Sequence, residues 1–247
     1  LATYYAYCRA IDDCADEYAP DEAVRHLAAW RAELDRLHKG RPASPLGAAL
    51  ADLCRRRGIP AGLLDDLWQG AKADARARVR FFRFADLRRY CYQVAGSVGL
   101  ACLPIFGLNL EAGATYALAL GEAFQLINIL RDVKEDAGRE RLYFALEDLD
   151  RYGLTEREFM AGRGGARAER LFHAYAWRAR HNLRRADEEA VRAALPGRRL
   201  RASRLMRVLY GDLLESMAAD GFRVFEKHYR LGPRRRAALV VRTLLRF

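Results

Sequence analysis

Apolar residues recur along most of the chain at three- and four-residue intervals, the spacing that lines one face of an α-helix. After Asp21, read as an N-cap, Val24, Leu27, Trp30, Leu34 and Leu37 form such a stripe, with Ala23 and Ala28 beside it. Leu46, Leu50, Leu53 and Cys54 form the next, followed by Leu63, Leu64, Leu67 and Ala71. Tyr116 to Val133 predicts a long, mostly apolar helix. A further helix runs through Leu171, Tyr175 and Arg178 to Leu183, and a later one carries Leu205, Val208, Leu209, Leu213, Met217 and Phe225. No sustained alternation bounded by hairpin turns is present, so no strand is required. The pattern predicts an all-α protein.

Helix breaks are expected at Pro42–Pro45, Gly107–Asn109, Gly162–Gly165 and Pro196–Gly197. Each is short enough for a helix–helix connection, and none has the length or composition of an interdomain linker. Residues 1–247 are therefore read as one domain. Tyr4, Tyr5, Cys8 and Ile11 already share a stripe, so the chain starts inside a helical element and an N-terminal piece is expected to be missing. No targeting peptide is visible, although the missing N-terminal piece is where one would lie.

The longest uncharged run, Tyr90 to Leu110, has the length of a bilayer span. Gln93, Ser97, Asn109, three glycines and Pro104 within it favour a buried helix lined with small residues. Five cysteines without a C-x-x-C pair argue against a disulfide framework or zinc site and for a reducing, cytoplasmic compartment. The net charge of +11, with all but four of the 43 basic residues being Arg, favours anionic partners. Nucleic acid is set aside as a partner, because the distinctive polar motifs are acidic and embedded in apolar helices rather than basic and interleaved with stacking residues.

The first such motif is Arg9-Ala-Ile-Asp12-Asp13-Cys14-Ala15-Asp16-Glu17. On a helix Asp12 and Asp16 lie one turn apart on one face, with Arg9 one turn behind Asp12. Carboxylates so placed repel unless a cation bridges them, and Mg²⁺ binds through one or two carboxylates plus water and phosphate oxygens. A solvated acidic helix end satisfies the same spacing. In the second motif, Gln125-Leu-Ile-Asn128-Ile-Leu-Arg131-Asp132-Val-Lys-Glu135-Asp136, the residues Asn128, Asp132 and Asp136 recur every four positions among apolar neighbours. Buried carboxylates require partners, either metal ions or some of the many arginines. Two acidic stripes on separate apolar helices together imply a cavity whose two walls hold Mg²⁺ and bind diphosphate groups. Arg139, Arg141 and Tyr143, just after the second stripe, are read either as reaching phosphate oxygens or as a solvated surface. Tyr90 either packs in the core or hydrogen-bonds a leaving diphosphate and passes it a proton. The small residues after it, through Val94 to Gly99, serve close helix packing or make room for a long ligand.

The segments Y-C-R-A-I-D-D-C-A-D-E, Y-C-Y-Q-V-A-G-S-V-G and Q-L-I-N-I-L-R-D-V-K-E-D-A-G-R-E-R-L-Y-F, in this order, resemble the squalene/phytoene synthase family. The similarity extends over nearly the whole chain. Within the family the sequence most resembles bacterial presqualene diphosphate synthases of the hopanoid pathway, on the cues W-R-A-E-L-D-R-L-H-K-G-R-P, I-F-G at Ile105 and R-A-S-R-L-M-R-V-L-Y ending at Tyr210. Phytoene synthases share most of these in looser form.

The resemblance implies an isoprenoid synthase fold, a helical bundle around a central apolar cavity. It implies Mg²⁺ on Asp12, Asp16, Asn128, Asp132 and Asp136; substrate binding by Arg9, Gln125, Arg141, Val94 and Tyr210; and catalytic roles for Tyr90, Arg131 and Tyr143. The family also carries a further N-terminal helix that lines the cavity and binds phosphate. The implied reaction is head-to-head (1′-1) condensation of two prenyl diphosphates, with two farnesyl diphosphates giving presqualene diphosphate. The alternative within the family is phytoene synthesis from two geranylgeranyl diphosphates; one of another class is a non-catalytic helical scaffold. NADPH is not supported by any strand-associated G-x-G-x-x-G, although its absence does not exclude the cofactor. The basic tail after Gly232 (Arg234, Arg235 and Arg236, then Leu239, Val240, Val241, Leu244 and Leu245, with Arg242 and Arg246) is amphipathic. It is read either as resting on the anionic inner face of the cell membrane or as a packed terminal helix with a solvated basic face.

Overall fold

The structure, a computed structural model, describes residues 1–244. Leu245 and Arg246 of the basic tail, and the side chain of Leu244, lie outside the described residues. Four helices come first: α1 (Ala2–Asp16), α2 (Pro20–His38), α3 (Pro45–Arg57) and α4 (Gly62–Asp74). They share a core of Tyr4, Tyr7, Ile11, Leu27, Leu34, Leu50 and Leu64. Strand β1 (Val79–Arg80) leads into α5 (Phe84–Cys91), which continues through a π-helical turn at Tyr92–Gly96 into α6 (Ser97–Ile105). The long α7 (Leu110–Arg131) is followed by α8 (Val133–Gly138), strand β2 (Arg141–Leu142) and the short α9 (Leu146–Arg151) and α10 (Glu156–Met160). Then come α11 (Gly165–Arg192), a 3₁₀ turn at Gly197–Leu200, α12 (Arg201–Ala219) and α13 (Pro233–Leu244). The second core forms where α7 packs along α11 and α6, burying Leu126, Ile127 and Leu130 with Leu171, Tyr175 and Ala179.

Local chemistry explains where the elements begin and end. Asn109 caps α7 by accepting from the Ala112 N–H at 2.8 Å, and Ser44 caps α3 by accepting from Gly47 at 2.9 Å, each satisfying a donor that the first helical turn leaves open. Gly58 ends α3 in the left-handed region at φ +67°. The expected breaks at Pro42–Pro45, Gly107–Asn109, Gly162–Gly165 and Pro196–Gly197 all fall between α-helices or end on the first residue of the next one.

Several expectations need correction. Asp21 is not the N-cap of α2: Pro20 occupies the first helical position, Ala19 caps it, and Asp21 lies in the first turn. Proline's fixed φ and missing N–H suit that position and start the helix two residues earlier. Val24 is exposed, so the core stripe of α2 runs instead through Ala23, Leu27, Leu34 and Leu37. In α1 the buried stripe is Tyr4, Tyr7, Ile11 and Cys14, whereas Tyr5 is exposed. Phe225 lies beyond α12, because the chain leaves the helix at Gly221 and Phe222, both at positive φ. The long helix begins at Leu110 rather than Tyr116 and stops at Arg131, with Val133 starting α8. Two strands do exist: β1 and β2 pair in parallel, Val79 with Arg141 and Arg80 with Leu142.

The uncharged run Tyr90–Leu110 covers the end of α5, the π-helical turn, α6 and the loop into α7, and its helical part packs against α7. Its small residues allow close approach there: a Cβ on Gly121 of α7 would come within 2.8 Å of the Gly96 nitrogen and 2.9 Å of the Ala95 carbonyl. No helix among the described residues is long and apolar enough to cross a membrane. The five cysteines are all unpaired.

Candidate active site

α1, α4, α5–α6, α7–α8 and α12 surround a cavity of about 850 Å³. That is the upper part of the range of small-molecule sites. One wall at its polar end carries Asp12 and Asp16 from α1; the other carries Asn128, Asp132 and Asp136 from the α7–α8 junction. The second stripe survives the change of helix because Asp132 donates its N–H to the Asn128 carbonyl and Asp136 donates its own to Asp132, at 2.9 and 2.8 Å. Val94, Ala95, Val98 and Gly99 line the deeper, apolar part, so the small residues both pack closely and open space.

The electrostatics of the polar end are those of crowded carboxylates. Asp12 is reached by solvent through the cavity mouth but is ringed by protein; burial, with Asp16 adding its negative charge, pushes its carboxyl up to about 6. Burial and then Asp132 push Asp136 up to about 8. The Oδ1 of Asn128 is buried without a hydrogen-bond partner. Such groups are unfavourable as they stand. A hard divalent cation taking oxygen ligands relieves both the repulsion and the unmatched acceptor, so the donor set fits Mg²⁺.

Arginines already neutralise part of this charge. Arg131 grips Asp132 through both its Nε and an η nitrogen, each at 2.6 Å. Arg141 bonds Asp16 at 2.8 Å and the Ala15 carbonyl at 2.8 Å, and Arg139 reaches Asp16 at 3.1 Å. The acidic end of α1 is thereby tied to the segment after α8. Tyr210 and Gln125 also line the cavity. Of the arginines expected at the site, Arg9 and Arg139 do not line it: Arg139 reaches in only as far as Asp16, and Arg9 is exposed and pairs with Asp13 and Glu17, at 2.7 and 3.3 Å.

Tyr90 and Tyr143 are brought together by a residue that sequence reading did not select. Asp74, the last residue of α4, accepts from Tyr90 at 2.8 Å on one oxygen and from Tyr143 at 2.6 Å on the other. Burial pushes both phenols well above their ordinary range, with Asp74 adding to the effect. Burial also raises Asp74 to about 6, against the two phenol hydrogen bonds. A signal was present in the sequence: Leu63, Leu67, Ala71 and Asp74 lie on one helical stripe, which puts a carboxylate on an apolar face. Also outside the expected set, His228 lies 3.1 Å from Glu135 and 3.7 Å from Asp132. Their ligand atoms all fall within 4.8 Å of one another, an arrangement that can hold a metal ion beside the second stripe.

Comparison with known proteins fits this geometry. A solved dehydrosqualene synthase superposes with a TM-score of 0.87 at 26% identity, covering 99% of this chain and 84% of that one. The squalene synthase HpnC of Alicyclobacillus acidocaldarius superposes with a TM-score of 0.80 at 28% identity, covering 89% and 82%. Among curated sequences, the chloroplastic phytoene synthase 1 of Arabidopsis thaliana is 34% identical over 235 residues, covering 92% of this chain. The chain spans about half the length of that relative, 55% of it. The family model described as squalene/phytoene synthase matches residues 1–239, and the chain belongs to that family.

Proposed function

We propose that the protein condenses two allylic prenyl diphosphates head to head, with farnesyl diphosphate as the substrate and presqualene diphosphate as the product. The observation that carries this reading is the pairing of two facing acidic walls with one apolar cavity, so that diphosphates and hydrocarbon chains each meet matching surfaces.

Mg²⁺ held by Asp12 and Asp16 on one wall and by Asn128, Asp132 and Asp136 on the other would neutralise the departing diphosphate of the donor. The chain's own groups do the rest. Arg139 and Arg141 exchange Asp16 for diphosphate oxygens, giving bidentate contacts that strengthen as charge develops on the leaving group. Arg131 holds Asp132 in place and, together with Tyr210 and Gln125, borders the path of the substrate. As the carbon–oxygen bond breaks, its electrons leave with the diphosphate, and the double bond of the second molecule attacks the resulting allylic cation. The departed diphosphate takes up the proton whose loss closes the cyclopropane. The walls at Val94, Val98 and Phe124 exclude water, which would otherwise capture the cation as an alcohol.

The phenols of Tyr90 and Tyr143 are both protonated at neutral pH, as an ordinary tyrosine is, and burial only strengthens this. Each has a single proton, committed to Asp74. A phenol therefore serves the diphosphate only by turning away from Asp74 or when that carboxylate takes up a proton.

A second reading, phytoene synthesis from two geranylgeranyl diphosphates, is favoured by the phytoene synthases among the curated relatives. The deciding experiment is incubation with each diphosphate and Mg²⁺, with and without NADPH, followed by mass analysis of products. A cyclopropyl C30 diphosphate from farnesyl diphosphate is the expected result, a C40 product supports the second reading, and no diphosphate release from either refutes both. We further infer peripheral contact with an anionic membrane through α13. Its Leu239 and Thr243 are buried and it packs on α12, so Arg234 and Arg236 on its exposed surface would make that contact electrostatically.

A further inference from the structure

We infer that the hydrogen-bonded pair Tyr116–Ser203 is the wall that sets the longest prenyl chain the cavity accepts; this rests on the function proposed above and specifies the substrate of that same site. Tyr116 on α7 and Ser203 on α12 meet across the apolar end of the cavity with their hydroxyl oxygens 2.7 Å apart. Ser203 donates its own proton to the Leu200 carbonyl at 3.0 Å, so its oxygen accepts from Tyr116. Tyr116 is only 4% exposed.

Behind the pair lies a second cavity of about 430 Å³, bordered by Val191 of α11 and by Arg204, Arg207 and Val208 of α12. Successive faces of α12 divide the two spaces: Ala202, Ser203 and Met206 face the first, Arg204, Arg207 and Val208 the second. Tyr116 is the one described residue that lines both. Its ring and its bond to Ser203 are therefore what separates them.

The position along α7 gives the wall its meaning. Tyr116 precedes Asn128 on the same helix by twelve residues, so it stands about 18 Å from the acidic end along the axis. A chain anchored there by its diphosphate runs down α7 toward Tyr116. One more isoprene unit must displace the ring and break its half-buried hydrogen bond to Ser203, which costs the phenol its acceptor. A chain that ends short of the ring meets no such penalty.

The test measures binding rather than turnover. C15 and C20 thiolodiphosphates, whose bridging sulfur resists ionisation, are titrated calorimetrically with Mg²⁺ into the wild-type protein, Tyr116→Ala and Ser203→Ala, and melting curves check that each variant folds. Wild-type protein should favour the C15 analogue. In Tyr116→Ala the C20:C15 affinity ratio should rise by about tenfold, the scale on which a pocket discriminates small differences in hydrocarbon. In Ser203→Ala, which removes the tie and keeps the ring, it should rise by about threefold, equivalent to one net hydrogen bond. Equal binding of both chains by wild-type protein overturns the inference. So does an unchanged ratio in folded Tyr116→Ala or, should that variant not fold, in Ser203→Ala. Failure of the wild-type protein to bind either analogue overturns the proposed function together with it.

Discussion

Tyr90 and Tyr143 hang from opposite oxygens of one carboxylate, that of Asp74, with their rings stacked 5.3 Å apart between centroids. The carboxylate thus fixes two phenols through two charge-assisted bonds, each worth about 1.5–3 kcal/mol. Asp74→Asn keeps the shape but loses the charge and one acceptor, and should lower turnover by about tenfold. Asp74→Ala releases both rings and should lower it by about a hundredfold, with a reduced melting temperature. Rates of diphosphate release measure both, and wild-type turnover in a folded Asp74→Ala would exclude any role for Asp74 in positioning the tyrosines.

The pH dependence of the metal-free protein should report the crowding at Asp136. Burial raises its folded pKa to about 8, whereas the unfolded chain titrates near 4. The folded state therefore holds a proton that the unfolded state releases. The stability this contributes is complete below about pH 4 and is lost as the pH rises toward 8. Asp136→Asn removes that loss, so in chelator it should outlast wild type at pH 8.5 by an amount on the order of 2 kcal/mol, with the gap closing toward pH 4. Added Mg²⁺ should raise the wild-type melting temperature at pH 8.5 and Asp136→Asn much less. The reverse order of the two proteins in chelator at pH 8.5 would refute the assignment.

Glu33 should behave in the opposite sense. It is 5% exposed and accepts from the Ser44 N–H and hydroxyl, from the Ala43 N–H and from Arg36. Burial alone would raise its pKa, but these bonds outweigh it and hold the group down to about 2. Its contribution is present above the ordinary glutamate range near pH 4 and fades as the pH falls toward 2. Glu33→Ala leaves buried N–H groups unmatched and should cost about 2–3 kcal/mol at pH 7, read as a shift in denaturant midpoint. A cost that persists undiminished at pH 2.5 would contradict the charge-based account.

For α13, reversing Arg234 and Arg236 to Glu should reduce flotation with vesicles rich in anionic lipid and leave neutral vesicles unaffected. High salt should have the same effect as the substitutions, because the contact is between exposed charges. Flotation that is insensitive to both would remove the electrostatic reading.

The central α7, buried on most sides, was legible from its long apolar run and less so at its ends, whereas helical periodicity marked α11 because it has one continuous face in a core, and such a face leaves its spacing in the sequence. The two acidic stripes were legible for the same reason. The β1–β2 ladder was not: two residues on each side carry no alternation, and the pairing joins Val79 to Arg141, far away in sequence. Asp74 left a trace as an acid on an apolar stripe, whereas its partners Tyr90 and Tyr143 come from other elements and are visible only in three dimensions. Arg9 has the spacing to reach Asp12, but it pairs instead with Asp13 and Glu17, which lie along its own side of the helix. The segment from Trp30 to Pro42 also reads differently in the fold. Arg31 and His38 bind Asp65 and Glu33 secures the loop after it, so these residues brace α2 against α4 and the start of α3.

The π-helical turn at Tyr92–Gly96 acts as a phase shifter within an otherwise ordinary rod. Each residue of an α-helix turns the chain by about 100°, so accommodating one extra residue re-aims everything downstream by roughly that angle. Upstream of the shift Tyr90 points to Asp74; downstream, Val98 and Gly99 point into the hydrocarbon space. Shortening the turn by one residue would leave the rod helical while rotating its second half out of alignment with its first, so that the ionising end and the chain-holding end would no longer share a common axis.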